Sequence, residues 1–460
     1  MSKRPGGAGY GAECGMPGVR DGERAVSLIG RRVDGRVSLL LVLLVSSVVR
    51  PQPRRSVDDY IDLALRRNPR IEAAERTVAA AREKTRVAGV LPDPSISGGY
   101  FISEVETRVG PQRARLGLSQ KVPWPGKLTG KRDVARRALD ARREESRRIR
   151  SHVVAAVRRT YASLYAAGEA VRVSRESLNL LQQWESVLLT DYANARTTQA
   201  SVLKLQVEMA ILEDDIESHR ARGRKLREEM ASLVNLDPPF EIPWPDTLPH
   251  VPVPAVYLES VDTLLASNPG VRTEAHRVEQ ARAEEALARR SYAPDFMLMT
   301  GYIVTGESSS SMVSPEEDGK DPWIVEVSAS LPVWFGANRG RVRKAGELRR
   351  ARELMLESAG DEVRAAMTGA AEEYRDADRR ITLLREVVIP KARQSLAVVQ
   401  EAYMNNRAEL LDLLDAQRML LDLEKTLAEQ EARREKKAAV IEMLLGRART
   451  QEKEEGRSGQ

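Results

Sequence analysis

The sequence predicts a mainly α-helical protein with a small β part, in which long coiled-coil helical hairpins are attached to pairs of strands. Three features of the 460 residues predict it. The chain repeats itself: Asn68-Pro69 returns as Asn268-Pro269, Pro92-Asp93 as Pro294-Asp295, and Gly99-Tyr100 as Gly301-Tyr302, which marks two copies of one unit. Residues 127–237 contain no proline and carry apolar residues every seven positions, the period of a coiled coil. Runs of alternating apolar and polar side chains precede each long helical stretch, the pattern of a strand with one apolar face.

Residues 1–55 read as an export signal and leader. Arg31, Arg32 and Arg36 precede an apolar run from Val37 to Val45, the charge-then-apolar order of a secretory signal. That run is shorter than the roughly 20 residues a membrane-spanning helix requires. Cys14, the single cysteine, lies before the run, so the sequence offers neither an internal disulfide nor a lipid-attachment cysteine after it. The formal charge of +6 belongs to the leader, which holds ten basic and four acidic side chains; the other residues carry 63 of each sign. A nucleic-acid partner therefore has no electrostatic basis.

The first repeat spans 56–237. Ser56 with Asp59 can form a capping box for a short helix ending near Asn68-Pro69, and a second helix follows to about Gly89, where Pro92 and Pro94 stop it. Ser95–Ile102 and Arg113–Val122 predict a strand pair, with Leu116, Leu118, Gln120 and Val122 on one face. Beyond it, Val157, Leu164, Val171 and Leu178 recur every seven residues, and Thr160, Ala167, Ser174 and Leu181 lie three positions behind them. These two rows are the a and d positions of a narrow seam. A helix from Lys127 to Tyr192 would be about 100 Å long at 1.5 Å per residue. It ends at the polar turn Asn194 to Thr198, after which a helix returns.

Prolines crowd the linker of 238–254, at 238, 239, 243, 245, 249, 252 and 254, and so forbid helix there. The second repeat, 255–446, follows the same plan: strands over Phe296–Val304 and Trp323–Leu331, a polar loop between them, and a long helix from about Gly340 to Tyr403. Pro390 should kink that helix rather than end it. The turn Asn405 to Glu409 leads into a helix with Leu413, Leu420 and Leu427 beside Leu414, Leu421 and Ala428, and a charged tail occupies 447–460.

Catalysis has no candidate residues. His152, His219, His250 and His276 are scattered without metal-ligand spacing, and no phosphate-binding loop, nucleophile elbow or zinc motif occurs. The expectation is a non-enzyme without metal or cofactor. Met297 and Met299 read as packing residues of a strand.

Twin halves, each with two strands and one extended hairpin, resemble the TolC family of outer-membrane efflux proteins, and Pro-Trp-Pro-Gly-Lys at 123–127 looks like its metal-efflux branch. The motifs are Leu65 to Pro69, Val122 to Lys127, Leu331 to Gly336 and Tyr403 to Gln417, and the likeness covers about 56–446. It implies a homotrimeric, TolC-like duct in the cell outer membrane: four strands per chain contribute to a twelve-stranded β-barrel, and the hairpins form an α-barrel reaching through the periplasm. It implies as partners outer-membrane lipid, a periplasmic adaptor protein and an inner-membrane pump, with the chain as the passive exit channel of a tripartite efflux system. By the same likeness Tyr403, Asp412 and Asp415 stand at the periplasmic aperture, and Arg196, Thr197, Thr198, Arg407 and Glu409 at the hairpin tips that meet the adaptor. Spacing three apart puts the two aspartates on one helix face. An exported coiled-coil protein without a pore is the alternative; it accounts for the heptads but not for the paired strands before each hairpin.

Overall fold

The structure, a computed structural model, describes residues 56–238, 240–249, 252–254, 265–308, 316 and 318–446. The leader with its apolar run and Cys14, and the tail from 447, lie outside the described residues. The elements of the first half are α1 (Val57–Arg67), α2 (Pro69–Val87), β1 (Ser95–Val105), β2 (Gln112–Val122), α3 (Lys127–Ala193) and α4 (Gln199–Val234). Those of the second are α5 (Pro269–Arg289), β3 (Asp295–Thr305), β4 (Trp323–Ser330), α6 (Phe335–Leu383), a π turn at Leu384–Val388, α7 (Ile389–Met404) and α8 (Leu410–Leu444).

Local chemistry sets the ends of these helices. Asp59 N–H donates to Ser56 Oγ at 3.2 Å and Ser56 N–H donates back to the Asp59 carboxylate at 2.7 Å, closing the capping box. Asn68 closes α1 and caps α2, with Pro69 in the first turn, where its missing N–H costs no helical bond. Asn268-Pro269 opens α5 in the same way. Helix α6 begins at Phe335, five residues before the expected start. Past Pro332 no proline interrupts the chain before Pro390, so the helix can start soon after the strand. At Pro390 the ladder does not break: a π turn directly precedes it and α7 continues beyond, which absorbs the carbonyl that the proline leaves without a donor.

The four strands form one antiparallel sheet in the order β1-β2-β3-β4, so the central pair, β2 with β3, joins the two halves. Register places Ile96 opposite Leu118, Leu116 opposite Tyr302, and Leu298 opposite Val327. One face is thus mostly apolar across the sheet, with Gln120 and Thr300 as interruptions, and it is exposed: Ile102 is 97%, Val325 73% and Trp323 72% accessible. The opposite face carries Ser95, Ser97, Arg115, Ser119, Lys121, Glu326 and Ser328, with Met297 and Met299 among them.

Heptad positions Val157, Thr160, Leu164, Ala167, Val171, Ser174 and Leu181 are all buried on α3, which packs against α4, α5 and α8. Small residues at Ala167 and Ser174 let the helices approach closely. Around the root of the first hairpin, Tyr60, Ile61, Val157, Leu164 and Met230 form one core cluster. Nearer the tips, Leu188, Leu205, Leu413 and Leu421 form another.

The described linker residues between α4 and α5 contain neither helix nor strand up to Pro254. Part of the linker straps the first hairpin. Trp244 fills a notch left by two missing side chains: a Cβ at Gly223 would lie 2.1 Å from its ring and one at Gly168 2.9 Å. Arg227 sits 4.1 Å over that ring and donates from Nε to the Ile242 carbonyl at 2.6 Å.

Candidate functional site

The two hairpin turns repeat one backbone motif. Asn194 and Asn405 close α3 and α7 with nearly equal dihedrals, φ −92° in both. Ala195 and Asn406 then adopt the left-handed conformation, φ 57° and 56°. The N–H of Arg196 reaches back to Asp191 O, and that of Arg407 to Ala402 O, each at 2.8 Å. These long backward bonds satisfy helix-end carbonyls as in a Schellman motif, and they leave both arginine side chains at the tips, exposed.

The returning helices are capped differently. Thr198 accepts the N–H of Ser201 on its hydroxyl at 3.3 Å. At the second tip the Asp412 carboxylate accepts the Glu409 N–H at 3.0 Å, within a reciprocal capping box. Thr198, Arg407 and Glu409 are exposed and Thr197 is half-buried. Between the tips lies a cleft of about 490 Å³ lined by Trp184, Asp191, Arg196, Thr197, Tyr403 and Glu409.

Tyr403 is held against the other half of the chain. Its ring meets Trp184 edge-on, 5.5 Å between centroids at 75°, a geometry favoured by opposed ring quadrupoles. Burial, with the Asp191 charge adding to it, pushes the Tyr403 hydroxyl above its ordinary pKa. The ring is therefore neutral at any physiological pH.

Asp412 and Asp415 are both exposed on α8, and their polar partners are the Glu409 N–H and Arg418 respectively. Asp412 also serves as a helix cap, a role its spacing from Glu409 could have announced. Asp415 is 75% exposed and lies 3.9 Å from Arg418. Arg418 is thus the cation beside this carboxylate, and its principal partner is Glu208 on α4, at 2.5 Å and 3.2 Å.

Above the tips a ladder of polar pairs, dispersed in sequence, stitches α8 to the first hairpin. Gln417 donates to Ser177 at 2.9 Å, Lys425 to Asp215 at 2.5 Å, and the Tyr165 hydroxyl to Glu431 at 2.8 Å. Arg158, 2% exposed, donates to Glu435 from Nε at 3.0 Å and also binds Glu442. Burial opposes ionisation of Asp215, but Lys425, His219 and the Ser174 hydroxyl together outweigh it and hold the carboxyl below its usual range. His219, 3.4 Å from Asp215, is itself pushed down by burial against the pull of that carboxylate.

Among the described residues, no group of three or more His, Cys, Asp or Glu could hold a metal ion, and no helix is long and apolar enough to cross a membrane. Among the described residues, the exposed face of the sheet gathers Ile96, Ile102, Leu116, Leu118, Trp323, Val325 and Val327.

Residues 60–209 and 261–447 match the family model described as outer membrane efflux protein. The chain is 23% identical over 394 residues to the pyoverdine export outer membrane protein OpmQ of Pseudomonas putida, covering 79% of this chain and 80% of that protein. It is 21% identical over 402 residues to the cobalt-zinc-cadmium resistance protein CzcC of Cupriavidus metallidurans, covering 85% and 90%. Its fold is similar to that of CusC, solved in a study of transmembrane channel formation, with a TM-score of 0.73, 18% identity, and 85% of this chain and 92% of that chain covered.

Proposed function

The chain belongs to the outer membrane efflux protein family, and from that premise we propose that it is the passive exit duct of a tripartite efflux system, assembled as a homotrimer. The observation that carries this reading is the sheet: four strands with one exposed, mostly apolar face and both edges, β1 and β4, unpaired among the described residues. Lipid supplies no partners for open edges, so a spanning sheet must close. Four strands cannot close alone, whereas three copies give the twelve of a small outer-membrane barrel. Polar residues on the other face then line the lumen, and the helical hairpins extend it into the periplasm.

At the far end of the hairpins, Tyr403, Asp412 and Asp415 form the aperture. Two exposed carboxylates per chain make a ring of six in the trimer, which favours cations. Arg196, Thr197, Thr198, Arg407 and Glu409 present exposed or half-buried polar groups at the two tips, a surface suited to a periplasmic adaptor that links the duct to an inner-membrane pump. The printed cargoes of the relatives differ, pyoverdine for one and cobalt, zinc and cadmium for another, so likeness assigns none to this chain. A pore-less coiled-coil protein leaves the apolar sheet face unexplained.

Membrane fractionation and native mass spectrometry test the assembly. The protein is expected in the outer-membrane fraction, and in detergent at three times the mass of the mature chain. A soluble monomer would sink the reading.

A further inference from the structure

We propose that the starts of α3 and α6 form a basic collar that binds anionic phospholipid headgroups on the side of the membrane where the helices leave the sheet. The inference rests on the duct reading for membrane insertion.

Both helices begin five residues after a strand ends, and neither has an acidic residue in its first turn. Basic residues follow instead. Lys131, Arg132, Arg136 and Arg137 are exposed on α3, as are Arg339, Arg343 and Lys344 on α6, and residues 335–346 contain no acid at all. These cations begin in the second turn of each helix, past the reach of the helix dipole, so the dipole does not account for their clustering.

The same helices treat their other arginines differently. Arg143 pairs with Asp140 at 3.1 Å, Arg147 with Glu144 at 3.0 Å, and Arg364 with Asp361 at 2.7 Å, each three residues apart. Arg339, Arg343 and Lys344 make no ion pair among the described residues, and neither do Lys131 and Arg136. Lys127, by contrast, is used within the fold by Asp295 at 2.8 Å. A cluster of exposed cations without acidic partners among the described residues is a surface complementary to an anion from outside.

Position identifies the anion. Trp334 and Phe335 are 77% and 62% exposed directly before the collar, and amphipathic aromatic rings settle at membrane interfaces. Phe335, Arg339 and Arg343 follow at intervals of four on one helix stripe. Arg339 and Lys344 lie about 6 Å and about 14 Å below the start of α6 at 1.5 Å per residue. That depth matches a headgroup layer of roughly 5–7 Å plus the reach of a long side chain that buries its stem and keeps its charge in the polar zone. A lipid phosphate is the anion available there, and the guanidinium fork suits it. Three chains would place six such helix starts around the duct.

The test uses the full-length protein in vesicles containing spin-labelled phosphatidylglycerol or phosphatidylcholine, with insertion confirmed by conductance of the same preparation. Wild type is expected to select phosphatidylglycerol, the preference falling in high salt. Arg339→Gln, Arg343→Gln and Lys344→Gln together should lower it by up to roughly five-fold per charge removed. Arg364→Gln, Arg375→Gln and Arg379→Gln together should leave it unchanged. Equal binding of both lipids by inserted wild type, an undiminished preference in the collar variant, or an equal loss in the second variant overturns the proposal. So does displacement of the lipid by millimolar inorganic phosphate, or a collar variant that alters only the ion selectivity of the pore, which would put these cations in the lumen. Protein that does not insert overturns the duct reading and this proposal with it. The salt dependence of wild type stands as an independent readout if the variant folds poorly.

Discussion

Asn68 donates from Nδ2 to the carbonyl of Leu233, 2.7 Å away and 165 residues later, while its Oδ1 accepts the N–H of Arg70 at 2.9 Å. One buried side chain thereby caps the start of α2 and satisfies a carbonyl in the last turn of α4. Asn268 does the same in the second half, donating to Leu444 O at 2.8 Å and accepting from Val271 N–H at 3.0 Å. The repeated Asn-Pro pair is a clamp that locks the root of each hairpin to the helix entering the sheet.

Replacing either asparagine by alanine removes a cap and strands a carbonyl, so Asn268→Ala should cost about 2–3 kcal/mol in denaturant unfolding. Asn268→Ser keeps a neutral capping oxygen, loses the amide donor to Leu444 and should cost less. Equal losses for the two variants would show that the cap on α5 contributes nothing beyond the bond to Leu444.

Much of this architecture is legible in the sequence because it rests on periodicity. The seven-residue spacing from Val157 to Leu178 and the alternation around Leu116 and Leu118 each follow from one element's own geometry, and the helices and strands fall within a few residues of the expected positions. What escapes local reading is whatever joins distant segments. The Asn-Pro pair marks a helix boundary, but its hydrogen bond to Leu233 requires knowing where α4 ends. The pairing of Tyr403 with Trp184, and of Arg158 with Glu435, joins the two halves across the hairpin packing and leaves no pattern in either segment. The capping box of Glu409 with Asp412 was within reach, three residues apart at a helix start, but an acidic cap was obscured by the expected role of Asp412 at the aperture.

Arg158 is nearly inaccessible and faces two carboxylates, Glu435 also buried and Glu442 partly so. Arg158→Met removes the guanidinium that Glu435 and Glu442 share and should destabilise by roughly 3–5 kcal/mol. Adding Glu435→Leu should restore a large part of that loss, since a matched apolar pair leaves no buried charge. The comparison is made by thermal unfolding. No recovery in the double variant would mean that the ion pair itself, rather than its imbalance, sets stability.

Acid should loosen the hairpins in two stages. His219 and His152 are held below the ordinary 6.5, burial being the largest cause for each. The unfolded chain therefore binds more protons than the folded one, and stability declines as pH falls below about 6.5. Asp215, held below 3.8, adds a second decline of the same sign in stronger acid. Replacing both histidines by glutamine should flatten the first stage and spare the second. A wild-type stability that rises on acidification from pH 7 to 5 would contradict the assignment.

The two aspartates of the proposed aperture separate by stability. Asp415→Ala removes an exposed charge with only a loose contact to Arg418, so it should weaken cation preference with little change in unfolding. Asp412→Ala removes a cap as well and should also lower stability by about 1 kcal/mol. Single-channel recording paired with unfolding of each variant checks this, and unchanged ion preference in both would remove them from the aperture.

The most direct measurement is single-channel conductance of the purified wild-type protein in a planar bilayer, together with its mass in detergent. A trimer that opens discrete, cation-preferring channels is the predicted result, because only closure of three four-stranded sheets both removes the open edges and leaves a lumen. A protein that remains a monomer and never conducts would contradict the account.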